Sequence, residues 1–212
     1  MLDVHAPEHG IHGTRDFVVH LLTITIGLLI ALALEAGVEA MHHRHQRKEA
    51  EAMIRQEITD NRKSLLNSAE GLKAEIAGMT TVLNTLDVLS TGQKNTLAEG
   101  GLKEGDLHFS EGPMQDSAWR TASSTGALSY MDYAEVEKFS GAYKEQDQLE
   151  AMEVLTMNDY LQLVPVLSNH AKDMTPERAK DALPFARSAI GHLSGLYFIG
   201  VGTVGAYDAA LK

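Results

Sequence analysis

The sequence predicts an all-α chain: one N-terminal transmembrane helix continuing into a soluble helical bundle. Three observations carry that prediction. An uninterrupted apolar run lies near the N-terminus, apolar residues recur at three- and four-residue intervals over most of the rest, and no stretch alternates like a strand between hairpin turns. Composition agrees. Hydrophobic residues are 44%, charged residues 22%, and 212 positions hold 18 Gly and 5 Pro, which excludes disorder and a multi-span membrane protein. Net charge is -11, so nucleic acid is not an expected partner. Cysteine is absent, which removes disulfides, thiolate nucleophiles and Cys-based metal centres.

Residues 1–16 read as a tail and 17–37 as the transmembrane helix. Phe17 to Leu34 contains no charged residue. Eighteen residues at the helical rise span about 27 Å, near the thickness of a hydrocarbon core. Charges return at Glu35, Glu39, Arg44, Arg47 and Lys48. The competing readings are a buried core helix and a cleavable leader ending near Ala31-Leu32-Ala33. A core helix of this purity is unusual in a small domain. A leader would be unusually long and have only Arg15 as a cation, beside Asp16. The expectation is a retained single-pass anchor. Arg44, Arg47, Lys48 and Arg55 outnumber Arg15, so the positive-inside count favours a cytoplasmic C-terminal part.

His20, Thr23, Gly27, Ala31 and Glu35 fall on one stripe of that helix. Gly27 and Ala31 form a small-xxx-small pair that lets a second helix approach closely, so Thr23, Gly27 and Ala31 are the candidate helix-packing residues. His20 sits one turn inside the boundary, where it can snorkel to the headgroups. Its alternative role is a haem ligand shared across a dimer.

Residues 38–212 read as a helical-bundle domain with a long loop near 93–114, where Gly100, Gly101, Gly105, Gly112 and Pro113 collect. Ile54, Ile58, Asn61 and Leu65 keep a 4-3-4 spacing, so one helix can run from lipid into water. Leu72, Ile76, Met79, Leu83 and Leu86 continue as a packed seam that stops near Thr91-Gly92. A short helix over Ser117 to Thr125 carries Trp119, the only Trp, and Gly126 ends it. Asp132 with Glu135 reads as a capping box. It opens a helix whose stripe is Val136, Phe139, Tyr143, Gln146, Leu149 and Met152, limited by Pro165. Thr175-Pro176 starts a last helix, with Ile190, Leu193, Tyr197, Val201 and Val204 on its apolar face. Pro184 either bends this helix or marks its true start.

The motifs that could carry chemistry are incomplete. Gly200-Val201-Gly202-Thr203-Val204-Gly205 matches the dinucleotide fingerprint, but a second strand and an acid about twenty residues on are needed, and Asp208 is far too close. No nucleotide is expected. Six of the ten histidines cluster, at His5, His9 and His12 and at His42, His43 and His45. Glu39 to His42 has the E-x-x-H spacing of di-iron bundles, but those sites need a second such motif and two further glutamates. An interfacial His-Arg cluster is the simpler reading. No phosphate-binding loop, zincin helix or nucleophile elbow occurs. Neither a catalytic residue nor a cofactor is expected, and the chain is read as no enzyme.

His5-Ala6-Pro7-Glu8, Asp16-Phe17, the run Thr23 to Leu32 and His42-His43-Arg44-His45, with Glu57, Asn61, Trp119 and Thr125-Gly126 beyond them, carry a resemblance. The chain resembles uncharacterised bacterial single-pass membrane proteins with a Gly-Ile-Leu-Ile-Ala-Leu type span and a helical domain. The likeness covers residues 1–66 well and 115–145 loosely. It implies a span, a helical domain and the bacterial inner membrane, and no activity. Relatives with a basic N-terminus imply a domain outside the cytoplasm, against the charge count, so the side stays open. The functional expectation is a membrane-anchored accessory or scaffold protein working through protein–protein contacts. Its partners would be the lipid bilayer and, through the span, another membrane protein or a second copy. The alternative is a metal- or haem-binding membrane protein using the histidines.

Overall fold

A computed structural model describes residues 13–93, 114–167 and 174–212. Among them the secondary structure is helical throughout, so the all-α class holds. The elements are α1 (Thr14–Ser90), α2 (Ser117–Ser124), a 3-10 turn (Ala127–Tyr130), α3 (Tyr133–Leu167) and α4 (Pro176–Ala210). The tail histidines and nearly all of the long loop lie outside the described residues. By its contacts the chain divides into Met1–Lys48 and Glu49–Lys212.

In the first unit α1 begins at Thr14, and the Phe17 N–H donates to Gly13 O at 3.2 Å. The apolar side chains from Phe17 to Leu34 are exposed. Thr23 and Thr25 turn their hydroxyls onto the carbonyls of Val19 and Leu21, at 2.9 and 2.8 Å, so neither needs water. Among the described residues, two helices are by length and composition apolar enough to cross a membrane. The best window of α1 has mean hydropathy 2.6 and is 0% buried, whereas that of α4 has 1.3 and is 28% buried.

In the second unit α1, α3 and α4 share one core. Arg55 with Glu135, Glu57 with Tyr143 and Asn61 with Gln146 pair in ascending order, so α1 and α3 run parallel. Gln146 with Tyr207 and Asp159 with His192 pair in descending order, as do Arg62 with Asp208 and Asp87 with Arg187, so α4 is antiparallel to both.

Each helix contributes a 4-3 seam, the spacing that keeps one face inward against neighbours at small crossing angles. Along α1 it runs Ile54, Ile58, Asn61, Leu65, then Leu72, Glu75, Met79, Val82 and Leu86, all buried, whereas Ile76 and Leu83, expected on this seam, are only partly buried. Along α3 it includes Phe139, Ala142, Gln146, Leu149, Thr156, Tyr160 and Leu163. On α4 the seam differs from the expected one. The buried positions are Ala182, Ala186, Ala189, Leu193, Leu196, Gly200, Thr203, Tyr207 and Ala210. Ile190, Tyr197 and Val204 are only partly buried, and Val201 is 60% exposed. Large apolar residues mark the wrong edge of α4 because small ones, Ala182, Ala186, Ala189, Gly200 and Thr203, share its inward face with Leu193, Leu196 and Tyr207.

Most stops and starts fall where the sequence places them. Gly92 and Gly126 adopt φ of +77° and +76°, the left-handed conformation that lets a helix end cheaply. Thr175 Oγ1 accepts from the Arg178 N–H at 3.3 Å with Pro176 following it. Asp132 Oδ1 accepts from the Ala134 N–H at 2.9 Å, the Asp half of the expected box, while the Glu135 carboxylate reaches Arg55. Two prolines lie inside helices. Pro184 sits within α4 and Pro165 within α3, so neither proline ends its helix.

The seam of α4 can be tested by size. Ala189→Leu, at a position with 0% exposure, should cost about 1–3 kcal/mol by overpacking. Val201→Ala should stay within about 0.5 kcal/mol. Urea unfolding of the two variants, followed by circular dichroism, measures both.

Candidate functional site

The most elaborate side-chain cluster is a buried polar knot where α1, α3 and α4 meet the start of α2. Glu57 of α1 is its centre. Its Oε2 accepts from Ser117 Oγ at 2.9 Å and from the Ala118 N–H at 2.8 Å. Its Oε1 accepts from Tyr143 Oη at 2.6 Å and, more weakly, from the Trp119 N–H at 3.4 Å. Asp116, at the N-cap position of α2, makes no side-chain capping bond. A carboxylate on another helix therefore satisfies the first free N–H groups of α2 and meets the positive end of its dipole.

One turn along, Asn61 treats Gln115 as a strand would. Its Nδ2 donates to Gln115 O at 2.6 Å, and its Oδ1 accepts from the Gln115 N–H at 2.9 Å. Asn61 Nδ2 also donates to Gln146 Oε1 at 3.1 Å, which accepts from Tyr207 Oη at 2.8 Å. Gln146 Nε2 donates to Gln115 O and to Glu150 Oε1, each at 3.3 Å. Asn61, Gln146 and Tyr207 thus form one polar layer across three helices. Trp119 completes the knot by stacking on Tyr143, centroids 5.2 Å apart and planes 17° from parallel.

Burial holds the Tyr143 phenol well above the ordinary tyrosine range, and the neighbouring Glu57 carboxylate adds to the effect. Burial likewise raises Tyr207, and it raises Tyr160, with the charge of Glu75 contributing there. These phenols remain donors at any physiological pH.

A second cluster closes the same end of the core. Arg55 donates to Glu135 at 2.7 Å, to Glu51 at 3.0 Å and to the carbonyls of Ala210 and Leu211 at 3.3 Å, and its guanidinium lies 5.4 Å from the Phe139 ring centroid. Burial works against its charge, but the bonds to Glu135 and Glu51 outweigh it and raise its pKa. Its planar fork thereby ties the last carbonyls of α4 to α1 and α3.

Both oxygens of Glu57 are occupied as acceptors by the fold itself, which leaves the carboxylate poorly placed to act as a base. The open cleft beside it, about 370 Å³, is lined by Met53, Gln56, Asp60 and Ser117 among others, and the Ser117 hydroxyl there donates to Glu57 Oε2. Elsewhere, His192 Nδ1 lies 2.7 Å from Asp159 Oδ2 between α4 and α3. Among the described residues no group of three or more His, Asp or Glu is arranged to hold a metal ion.

The sequence-derived candidates are dispersed. Thr23, Gly27 and Ala31 follow one another along α1 in the first unit, and a Cβ added at Gly27 would meet nothing within 4 Å. His42 and His43 have ring centroids 6.3 Å apart, and His43, rather than His42, faces Glu39 at 3.9 Å. The run Gly200 to Gly205 lies within α4, with Gly200 and Thr203 buried, so it forms no phosphate-cradling turn. Glu57, Asn61 and Trp119, noted for a resemblance, come together in the knot. Tyr207, Ser117 and the backbone of Gln115 were not anticipated. The signal for them was Asn61 and Gln146, two amides at seam positions that could only be buried with partners.

Comparison with family models, curated proteins and solved structures finds no match to this chain.

Two outcomes test the knot. Glu57→Gln should cost about 1–3 kcal/mol by replacing a charged acceptor with an amide that must turn a donor toward other donors. Glu57→Ala should cost more, and both should red-shift the emission of Trp119 as α2 loosens. The tyrosines give the second. A phenol whose pKa is raised on folding loses none of its contribution below the unfolded value, and loses it as pH rises beyond that value. Stability should therefore fall above about pH 10. Of six tyrosines, Tyr143, Tyr160 and Tyr207 should give their tyrosinate absorbance only with unfolding.

Proposed function

We propose that this protein is a single-pass membrane-anchored helical accessory or scaffold protein that acts through protein–protein contacts and carries out no catalysis of its own. The single observation behind this reading is the contrast between its two units. The stretch from Phe17 to Leu34 is uncharged and its apolar side chains are exposed, a surface that only lipid or another apolar helix can cover at low cost. In the second unit the buried polar groups are spent on holding helices together. In this reading α4 is a core helix, since Arg55, Arg62 and Gln146 meet it from its neighbours. The span packs on a partner helix, or on a second copy, through Thr23, Gly27 and Ala31. The bacterial inner membrane follows from the resemblance to single-pass proteins, with the side of the second unit open.

The metal- or haem-binding alternative rests on the histidines at positions 42, 43 and 45, which crowd one stretch of α1.

Alkaline carbonate washing tests the anchor. The full chain should stay in the membrane pellet, and removal of residues 1–37 should release the remainder. Release of the full chain would end the transmembrane reading. Stoichiometric metal or a haem absorption band in the purified full chain would favour the alternative.

A further inference from the structure

Where α1 leaves its apolar run, charge of opposite sign is sorted onto opposite sides. Ile30, Leu34, Gly37, Met41, Arg44 and Lys48 follow at 4-3-4-3-4 spacing, so they form one stripe of the helix. Glu35, Glu39, His42 and Gln46 keep a 4-3-4 spacing half a turn away and form the opposite stripe. Arg47 borders the first stripe. The next acid on that side, Glu51, is bonded to Arg55 at 3.0 Å.

On the side of Arg44 the apolar surface also continues past Leu34. Met41 is 68% exposed and Val38, close to it, 63%. From Phe17 to Met41 the helix measures about 37 Å, against a hydrocarbon core of ~30 Å. A tilt of about 37° absorbs the excess, within the range seen for spans. Tilting toward Met41 brings that residue to the hydrocarbon edge and lifts Glu35 and Glu39, on the far side, toward water. Arg44 then lies ~4.5 Å further along the helix, within a headgroup layer roughly 5–8 Å deep. Lys48 follows one turn later. Side chains of a helix lean toward its N-terminus, here the membrane side, so both cations reach back into that layer. Both are exposed, and among the described residues neither forms an ion pair within the chain.

Resting on the transmembrane reading above, we infer that the edge of α1 carrying Arg44 and Lys48 binds anionic phospholipid headgroups and thereby sets the tilt and rotation of the span. Charge and depth together select this partner. A chain of net charge -11 is repelled as a whole by an anionic surface, so attraction needs cations gathered locally and cleared of acids. Arg44, Arg47 and Lys48 meet that condition. The groups found at their depth are phosphates, which a guanidinium holds through two parallel hydrogen bonds and an ammonium as a point charge. An acidic protein segment could meet the same cations, but it would not cover Leu34, Val38 and Met41, which adjoin them on the same side.

Lipid selectivity tests this directly. The full chain is reconstituted in phosphatidylcholine vesicles doped with a trace of phosphatidylglycerol or, in parallel, of phosphatidylcholine, each spin-labelled on an acyl chain. The motionally restricted fraction of each label gives its relative association with the protein. Phosphatidylglycerol should be preferred about fivefold or more, the factor expected for a single cation held near an anionic surface. Arg44→Gln together with Lys48→Gln, both at exposed positions, should bring the two lipids level. Glu35→Gln together with Glu39→Gln, on the opposite stripe, should leave the preference no smaller. Equal restriction of the two lipids by the unaltered chain would overturn the inference. So would a preference that survives Arg44→Gln with Lys48→Gln, since another part of the chain would then hold the anionic lipid. Carbonate washing separates this inference from the reading beneath it. A chain that stays in the pellet without lipid preference loses only the headgroup contact, whereas release of the full chain ends both.

Discussion

The Glu57 carboxylate sets the terms for the second unit. It is buried, it sits in the seam region of α1, and it is balanced by the start of a separate helix and by a phenol. A buried carboxylate is costly unless several donors converge on it. Four donors from α2 and α3 do so, which means that α1 and α3 cannot slide past one another by a turn without stranding the charge. Asn61 and Gln146 extend the same restriction to α4 through Tyr207. Apolar seams at 4-3 spacing tolerate shifts of register, because one Leu resembles another. The polar layer does not, and buried amides fix register in coiled coils for this reason.

That arrangement also explains why so short a helix as α2 stands at all. Eight residues are too few to be stable alone, and the helix lacks a cap of its own. Its N–H groups, its Ser117 and its Trp119 are each held by groups on α1 or α3. Helix and socket are therefore one cooperative element.

The class, the α3 seam, the first half of the α1 seam and most helix ends were legible in the sequence, because periodicity, Thr175-Pro176 and the left-handed glycines act locally. In the second half of α1, Glu75 and Val82 are buried where Ile76 and Leu83 were expected. Asn61 and Gln146 were visible as amides at seam positions, but their common partner, the backbone of Gln115, has no side-chain signature. The α4 seam was misread by about one position, since Ile190, Tyr197, Val201 and Val204 outweigh Ala189, Gly200 and Thr203 on any hydrophobic scale. The knot joins residues 57, 61, 117, 143, 146 and 207, and no spacing rule spans such separations.

The knot is off-centre. It lies with the Arg55 cluster at the end where α4 finishes, whereas the opposite end buries Ala179, Ala182, Ala186 and Ala189 beside Leu86, Leu163 and Leu183 and carries no such polar layer. Alanines bury little area each, and the charged link there, Arg187 to Asp87, spans 4.0 Å between exposed groups. Cohesion is therefore graded along the helices. Opening around Ile58 and Tyr207 must break the knot as well as the core, so the amide protons there should be among the last to exchange.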